Sequence, residues 1–436
     1  MRDLYIKNSF EVKQNFGLLI FYLGLFLLPS AFSISVIFLL ISLVISTFKY
    51  KKNYLDDFWN IPFVLGGFFL VLSSIVHTFF NNHSLNYDLN PSLTWIGLGN
   101  WLPFFWIFWG FQAYLDKPEK RKNSGLILIA GSFPIIITGL GQSFFNWDGP
   151  FQTLYGLITW YQRPIDNIFG LTGLFNNPNY AGSWFNSIWP FCIASLIYLK
   201  KDNFKKASTY FFTFGISLST VLTNSRAAWI GIFLGSVLIY GKKSLKYVKY
   251  FVLIFTLILL SIKFAIFGDN FQSFLKIIVP QSIWNEFSDF QYTRVEIWRS
   301  AVNYILNHPI FGNGSGSFTE MFRLDTGLWK GHAHNLPLEL MVSYGIPAAF
   351  LILAPILILI VIATRKIFRE VNIQNNLIFD KAWIVSLLVL LSSQLVDVQY
   401  FDGRISILFW ILLSGTKNIV IINPTNFKKN ANFTSK

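Results

Sequence analysis

Ser343-Tyr344-Gly345-Ile346-Pro347-Ala348-Ala349-Phe350-Leu351-Ile352-Leu353-Ala354-Pro355-Ile356-Leu357-Ile358-Leu359-Ile360-Val361-Ile362 runs for 20 residues without a charge. A helix of about 20 apolar residues crosses the hydrocarbon core of a bilayer, so this stretch, inside a longer segment from 335 to 362, reads as a transmembrane helix. The pattern recurs along the chain. Apolar segments fall at 14–30, 31–48, 61–80, 93–115, 124–144, 181–199, 207–223, 227–240, 247–267, 335–362, 379–398 and 405–422. Only Pro29 and Ser30 separate the first two. With 53% hydrophobic and 13% charged residues and a mean hydropathy of +0.49, the expected class is an all-α polytopic membrane protein of about 12 spans.

The net charge of +14 is explained by where the cations sit. Lys49, Lys51 and Lys52; Lys117, Lys120, Arg121 and Lys122; Lys200, Lys201, Lys205 and Lys206; Lys242, Lys243, Lys246 and Lys249; and Arg365, Lys366 and Arg369 crowd alternate loops. The positive-inside rule makes those loops cytoplasmic. Both termini then lie inside, the segments 81–92, 145–180, 268–334 and 399–404 lie outside, and no nucleic-acid partner is needed to account for the charge. Cys192 is alone and within a span, which excludes a disulfide framework and a thiolate metal site. Met1 to Lys13 has no short apolar core followed by a small-residue cleavage site, so no cleaved signal peptide is expected. The tail from Asn423 to Lys436 reads as a solvated cytoplasmic end.

Ionisable residues near the outer ends of spans are the functional candidates, because charge in a membrane is expensive. Arg226 lies in Leu222-Thr223-Asn224-Ser225-Arg226-Ala227-Ala228-Trp229, between spans covering only roughly 25 Å and 21 Å of a core about 30 Å thick. So short a hairpin holds its tip below the surface, where a bidentate bond to an anion offsets the burial of a guanidinium. The plainer role is snorkelling to lipid headgroups. In the long outer segment, the stretch from Tyr292 to Ile305 has Val295, Trp298, Val302 and Ile305 at helical spacing, which suits a helix on the membrane surface. Thr293 or a neighbour caps it, and Arg294 falls in its first turn, facing either a cavity or headgroups. His308-Pro309-Ile310-Phe311-Gly312-Asn313-Gly314-Ser315-Gly316 follows. Its glycines permit close backbone approach, but without a preceding strand they are no nucleotide fingerprint.

Just before the opening segment stand Gly331-His332-Ala333-His334-Asn335-Leu336-Pro337. Asn335 is a favourable N-cap and Pro337 suits a first helical turn. His334 therefore sits at the positive end of a helix dipole, which helps keep its ring neutral and available as a base near pH 7. His332 is a second substrate contact or an exposed loop residue. A zinc site is not expected, since the pair has no third ligand nearby. The segment 145–180 holds Arg163, Asp166 and the run Leu171-Thr172-Gly173-Leu174-Phe175-Asn176-Asn177-Pro178-Asn179-Tyr180. Asn177-Pro178 favours a tight turn, and the side chains of Asn177 and Asn179 also suit sugar hydroxyls. Trp95, Trp101, Trp106 and Trp109 read as interfacial belt and packing. Asp397 and Glu339, near span ends, are expected to pair with Arg404 or a loop arginine.

The ordered set of these stretches resembles the O-antigen ligase and polymerase superfamily of bacterial envelope glycosyltransferases. The carriers are Gly173-Leu174-Phe175-Asn176-Asn177-Pro178-Asn179, Thr223-Asn224-Ser225-Arg226-Ala227-Ala228-Trp229, Arg294 with Trp298, His308-Pro309-Ile310-Phe311-Gly312-Asn313-Gly314, and His334-Asn335 spaced nine residues from Gly345. The last looks like the ligase signature, with Ala348 at the closing position where that signature has Gly, Thr or Tyr. The resemblance implies a C-type glycosyltransferase-like fold with spans at 1–144 and 363–436 flanking a ligase-like core at 145–362. It implies transfer of a glycan from a polyprenyl diphosphate to a lipid or polysaccharide acceptor hydroxyl, as in O-antigen attachment to lipopolysaccharide. The reaction would occur on the outer face of the bacterial cytoplasmic membrane, without metal, nucleotide or other cofactor. His334 would be the general base and Arg226 and Arg294 the diphosphate clamp, with Asn177, Asn179, Asn335, Arg163 and His332 on the substrate. A polysaccharide polymerase or protein O-oligosaccharyltransferase differs only in acceptor. The rival of another class, a carrier of inorganic carbon, would place its charges near the midplane.

Overall fold

The computed structural model describes residues 16–49, 53–79, 92–165, 170–198, 203–264, 266–278, 284, 294–369 and 377–421. Expectations for Met1 to Lys13, Lys51, Lys52, most of 81–92, Asp166, Lys200, Lys201, Thr293 and the tail from Asn423 lie outside them. A helix occupies the position of every apolar segment. In chain order these are α1 (Phe16–Leu27), α2 (Phe32–Lys49), α3 (Ile61–Phe79), α4 (Ser92–Leu98), α5 (Leu102–Gly110), α6 (Pro118–Gly131), α7 (Phe133–Phe145), α8 (Pro178–Tyr198), α9 (Asn203–Leu222), α10 (Arg226–Tyr240), α11 (Leu245–Phe264), α12 (Asp269–Ile278), α13 (Arg294–Asn307), α14 (Ser317–Thr326), α15 (Leu336–Arg369), α16 (Ile378–Ser393) and α17 (Gly403–Ile421). Among the described residues, five helical stretches are long and apolar enough to cross a membrane: α2, the segment through α3, the α6–α7 pair, α15 and α17. The chain is thus a helical membrane protein.

The centre of the bundle is α8, α10, α16 and α17, with α3 against α15 and α5 against α17. Trp184, Trp383 and Trp410 are enclosed there, and Trp410 is ringed by Phe63, Phe105 and Phe108 in edge-on contacts. One end of this core is sealed by ion pairs. Arg121 meets Asp380 through two hydrogen bonds of 2.7 Å while its third nitrogen donates to the Leu115 carbonyl, and Lys417 pairs with Asp57. Every donor of this kind must be satisfied when charge is taken from water.

Two expectations are corrected. The segment 93–115 is not one continuous helix: the chain turns at Gly99–Trp101 before α5 restarts with Pro103 in its first turn, because proline cannot donate into a continuing helix. Trp101 is consequently buried and packed as expected, stacked on Tyr400 with ring centroids 4.7 Å apart. Alongside the helices, β1 (Phe151–Thr153) and β2 (Ile158–Trp160) form a short antiparallel hairpin in the segment 145–180. Finally, α13 buries Ile297, Ala301, Tyr304 and Ile305 against α14 and α15 and leaves Val295 and Val302 exposed. Periodicity marked one apolar face of α13, and the helix has two.

The long helix α15 carries a break at Gly345, with φ 85° and ψ 169°. A Cβ there would stand 2.1 Å from the Ile310 carbonyl oxygen, so only glycine fits. The loop 309–314 docks into the break: Ile346 N–H donates to Pro309 O at 2.8 Å, Asn313 N–H to Val342 O at 2.7 Å and Gly314 N–H to Ser343 O at 3.0 Å. The His308-Pro309-Ile310-Phe311-Gly312-Asn313-Gly314 stretch therefore approaches another backbone closely.

Candidate functional site

At the end of the core opposite Arg121 and Asp380, the turn before α15 and the loop after α16 are tied together. Asn335 caps α15 as expected, its Oδ1 accepting the Leu338 N–H at 3.0 Å, and its Nδ2 donates to the Leu395 carbonyl at 3.0 Å. The Leu336 N–H donates to Gln394 O at 2.9 Å. This clasp brings Asp397, 63 positions along the chain, to His334: Nδ1 and Oδ1 are 2.9 Å apart.

Asp397 is the hub. Its other oxygen, Oδ2, accepts from Asn179 Nδ2 at 2.9 Å and from Gln399 Nε2 at 3.2 Å. His332 Nε2 lies 3.6 Å from Oδ1, and the two imidazoles meet edge to face at 4.4 Å. Burial works to raise the Asp397 pKa, but the His334 hydrogen bond and the two rings hold it below its usual value. Burial pushes His332 down to about 4, against the pull of Asp397. His332 is therefore neutral at pH 7. Its Nδ1 accepts the His334 N–H at 3.1 Å, which leaves the proton on Nε2, towards the carboxylate.

These bonds also fix the His334 tautomer. A carboxylate can only accept, so Nδ1 carries the proton and Nε2 keeps a lone pair. The residue has φ 51°, a left-handed conformation that costs a non-glycine residue about 1 kcal/mol or more. It is held by the His332 contact and by Glu339, whose carboxylate accepts the Ala333 N–H at 2.8 Å. The side chain of His334 remains 26% exposed, enough for a substrate to reach it.

The expected pairing of Asp397 with Arg404 is corrected. Arg404 is bound instead by Asp402, two residues before it, through Nε at 3.0 Å and Nη2 at 2.8 Å. That local pair leaves Asp397, an acid at the end of an apolar run, without a basic neighbour in sequence. Glu339 likewise takes a backbone N–H rather than an arginine. The expectation that the histidines lack a third ligand is corrected too, since His332, His334 and Asp397 present ligand atoms all within 4.8 Å of one another. Two imidazoles and a carboxylate match the donor chemistry of zinc or iron.

The remaining candidates are placed as follows. Asn177 is a turn residue, its Oδ1 accepting the Asn179 N–H at 2.8 Å. Arg163 enters the fold through its backbone, its N–H donating to Thr172 Oγ1 and its carbonyl accepting from Gln142, with its side chain exposed. Arg226 begins α10, half-buried; the next residues, Ala227 and Ala228, pack against Asn186 and Gly182 of α8, one to two turns from Asn179. Arg294 begins α13, half-buried, and Ile297 one turn on shares an apolar cluster with Ala333, the residue between the two histidines. Each arginine thus starts a helix packed against an element that carries part of the His334 cluster. Asp397 and Gln399 were not singled out from sequence as site residues.

No curated protein matches the chain. Residues 211–353, which include Arg226, Arg294, His332, His334, Asn335 and Gly345 but not Asp397, match the family model described as O-antigen ligase. Over that segment, the chain is similar to the O-antigen ligase family.

Proposed function

We propose that the chain is a membrane glycosyltransferase that moves a glycan from a polyprenyl diphosphate to an acceptor hydroxyl, with His334 as its general base. The observation that carries this reading is the 2.9 Å bond from His334 to Asp397, which leaves Nε2 basic and directed away from the hub. As the acceptor oxygen bonds to the anomeric carbon, the carbon–oxygen bond to the diphosphate breaks and its electron pair leaves with the phosphate. The acceptor proton passes to Nε2, and Asp397 stabilises the imidazolium. Attack opposite the leaving group inverts the anomeric centre. Arg226 and Arg294, at helix starts flanking the turn, supply charge to the departing diphosphate, which then needs no proton donor. Asn179 and Gln399 hold the carboxylate in place, and His332, neutral, borders the acceptor.

The test compares cells lacking the chain with cells carrying wild type, His334→Ala, Asp397→Asn or Arg226→Ala. Lipid-linked glycan and finished surface polysaccharide are measured at matched protein levels. Each variant is expected to accumulate lipid-linked glycan, and with purified protein His334→Ala loses about 10²- to 10⁴-fold in rate. Normal attachment by His334→Ala would sink the assignment. The acceptor that gains the glycan separates ligase, polymerase and protein-glycosylating forms. The reading is metal-free: dialysis against a chelator leaves transfer unchanged, whereas a loss restored by zinc reassigns His332, His334 and Asp397 as a metal centre.

A further inference from the structure

Next to the hub lies a polar cavity of about 360 Å³, within the size range of small-molecule sites. Four distant segments enclose it: the turn after α1, the second half of the β-hairpin, the entry to α8 and the start of α17. Trp160 of the hairpin fastens the first two, its Nε1 donating to the Ser30 carbonyl at 2.7 Å. Tyr180 of the cavity wall directly follows Asn179, whose Nδ2 donates to Asp397 Oδ2 at 2.9 Å. The cavity and the His334–Asp397 pair thus adjoin at these two consecutive residues.

The lining combines three chemistries. Asp402 and Arg404 form a bidentate pair, with the guanidinium 3.9 Å over the Phe175 ring. Asn176 brings an Oδ1 that is enclosed and has no hydrogen-bond partner among the described residues. Tyr161 and Phe401 present rings that are 44% and 40% exposed. A free phosphate would face the Asp402 carboxylate, a cation would face Arg404, and an acyl chain would leave Asn176 Oδ1 unpaired and cover the Asp402–Arg404 pair with apolar surface. A neutral pyranose satisfies them together: adjacent hydroxyls suit the paired carboxylate and guanidinium, a further hydroxyl suits Asn176, and the aromatic rings cover the ring C–H face.

We propose that this cavity is a glycan subsite that holds a hydroxyl-rich sugar ring beside the reacting centre. The proposal rests on the glycosyl-transfer reading of the His334 site and deepens it. The sugar belongs either to the donor glycan or to a saccharide acceptor, and two probes separate the sources. One is the oligosaccharide released by mild acid from the lipid-linked pool, and the other is that released from delipidated surface polysaccharide.

Saturation-transfer NMR on the full chain in detergent micelles reads binding of each probe. Wild type and His334→Ala are expected to bind at least one of them equally. Tyr161→Ala, an exposed position whose loss leaves the fold intact, and Asp402→Asn are expected to bind about tenfold more weakly, the order of one or two lost charge-assisted or stacking contacts. Failure of wild type to bind either probe, or equal binding by Tyr161→Ala and Asp402→Asn at unchanged melting temperature, overturns the subsite. Transfer by His334→Ala at the wild-type rate would overturn the base assignment instead, while leaving the binding result standing.

Discussion

The two ends of the core both hold a buried aspartate with a cationic or basic partner, and they are built to opposite ends. At one, Arg121 donates to both oxygens of Asp380 and to the Leu115 carbonyl, and the pair is enclosed. At the other, Asp397 divides its oxygens among His334, Asn179 and Gln399, and the imidazole it holds keeps one nitrogen unengaged. A fully satisfied pair fastens helices, because removing either partner strands a charge. A pair with a spare lone pair at a part-open surface is equipped for proton transfer.

The widest separation of the two ends comes from removing one partner at each. Arg121→Leu is expected to cost about 3–5 kcal/mol of stability, seen as loss of monodisperse protein in micelles, whereas Asp397→Asn keeps its melting temperature within a few degrees and loses transfer. If Arg121→Leu remains as stable as wild type, the closed end is not a fastening and the comparison collapses.

Acid sharpens the contrast next. His332 has a folded pKa of about 4 against about 6.5 unfolded, so the folded state binds fewer protons between those values. Stability at the open end therefore falls as pH drops from about 6.5 to 4, by up to about 3 kcal/mol. Melting temperature followed over that window should fall for wild type and stay nearly level for His332→Gln. Equal slopes would remove His332 from the buried, neutral role.

The smallest effect concerns α13, whose outer face carries Val295 and Val302, 59% and 42% exposed. Replacing both by Ser is expected to change stability in micelles by no more than about 0.5 kcal/mol while lowering retention on lipid vesicles. Unchanged retention would mean that this face meets no lipid.

Helix positions were legible because bilayer thickness imposes a length and a composition that a single sequence displays. So was the cap at Asn335, which depends on neighbours one turn away. The partner of His334 was not legible, since Asp397 arrives through a clasp between segments 60 residues apart and nothing local marks it beyond the Asp402–Arg404 pair that leaves it spare. The buried face of α13 was missed because spacing at 3.6 residues cannot rank two apolar faces when tertiary packing selects one. The glycines of 312–314 were visible, but their purpose required Gly345, which is remote in sequence.

The docked break in α15 has a mechanical outcome. The nine residues from Leu336 to Tyr344 form a strut pinned at one tip by the Gln394 carbonyl and at the other by the incoming backbone of 309–314. With both tips anchored, motion or sequence drift in the rest of the long connecting segment is absorbed before it reaches the imidazole. Such a chassis can exchange its surroundings to suit new partners while the proton-handling ring stays in register.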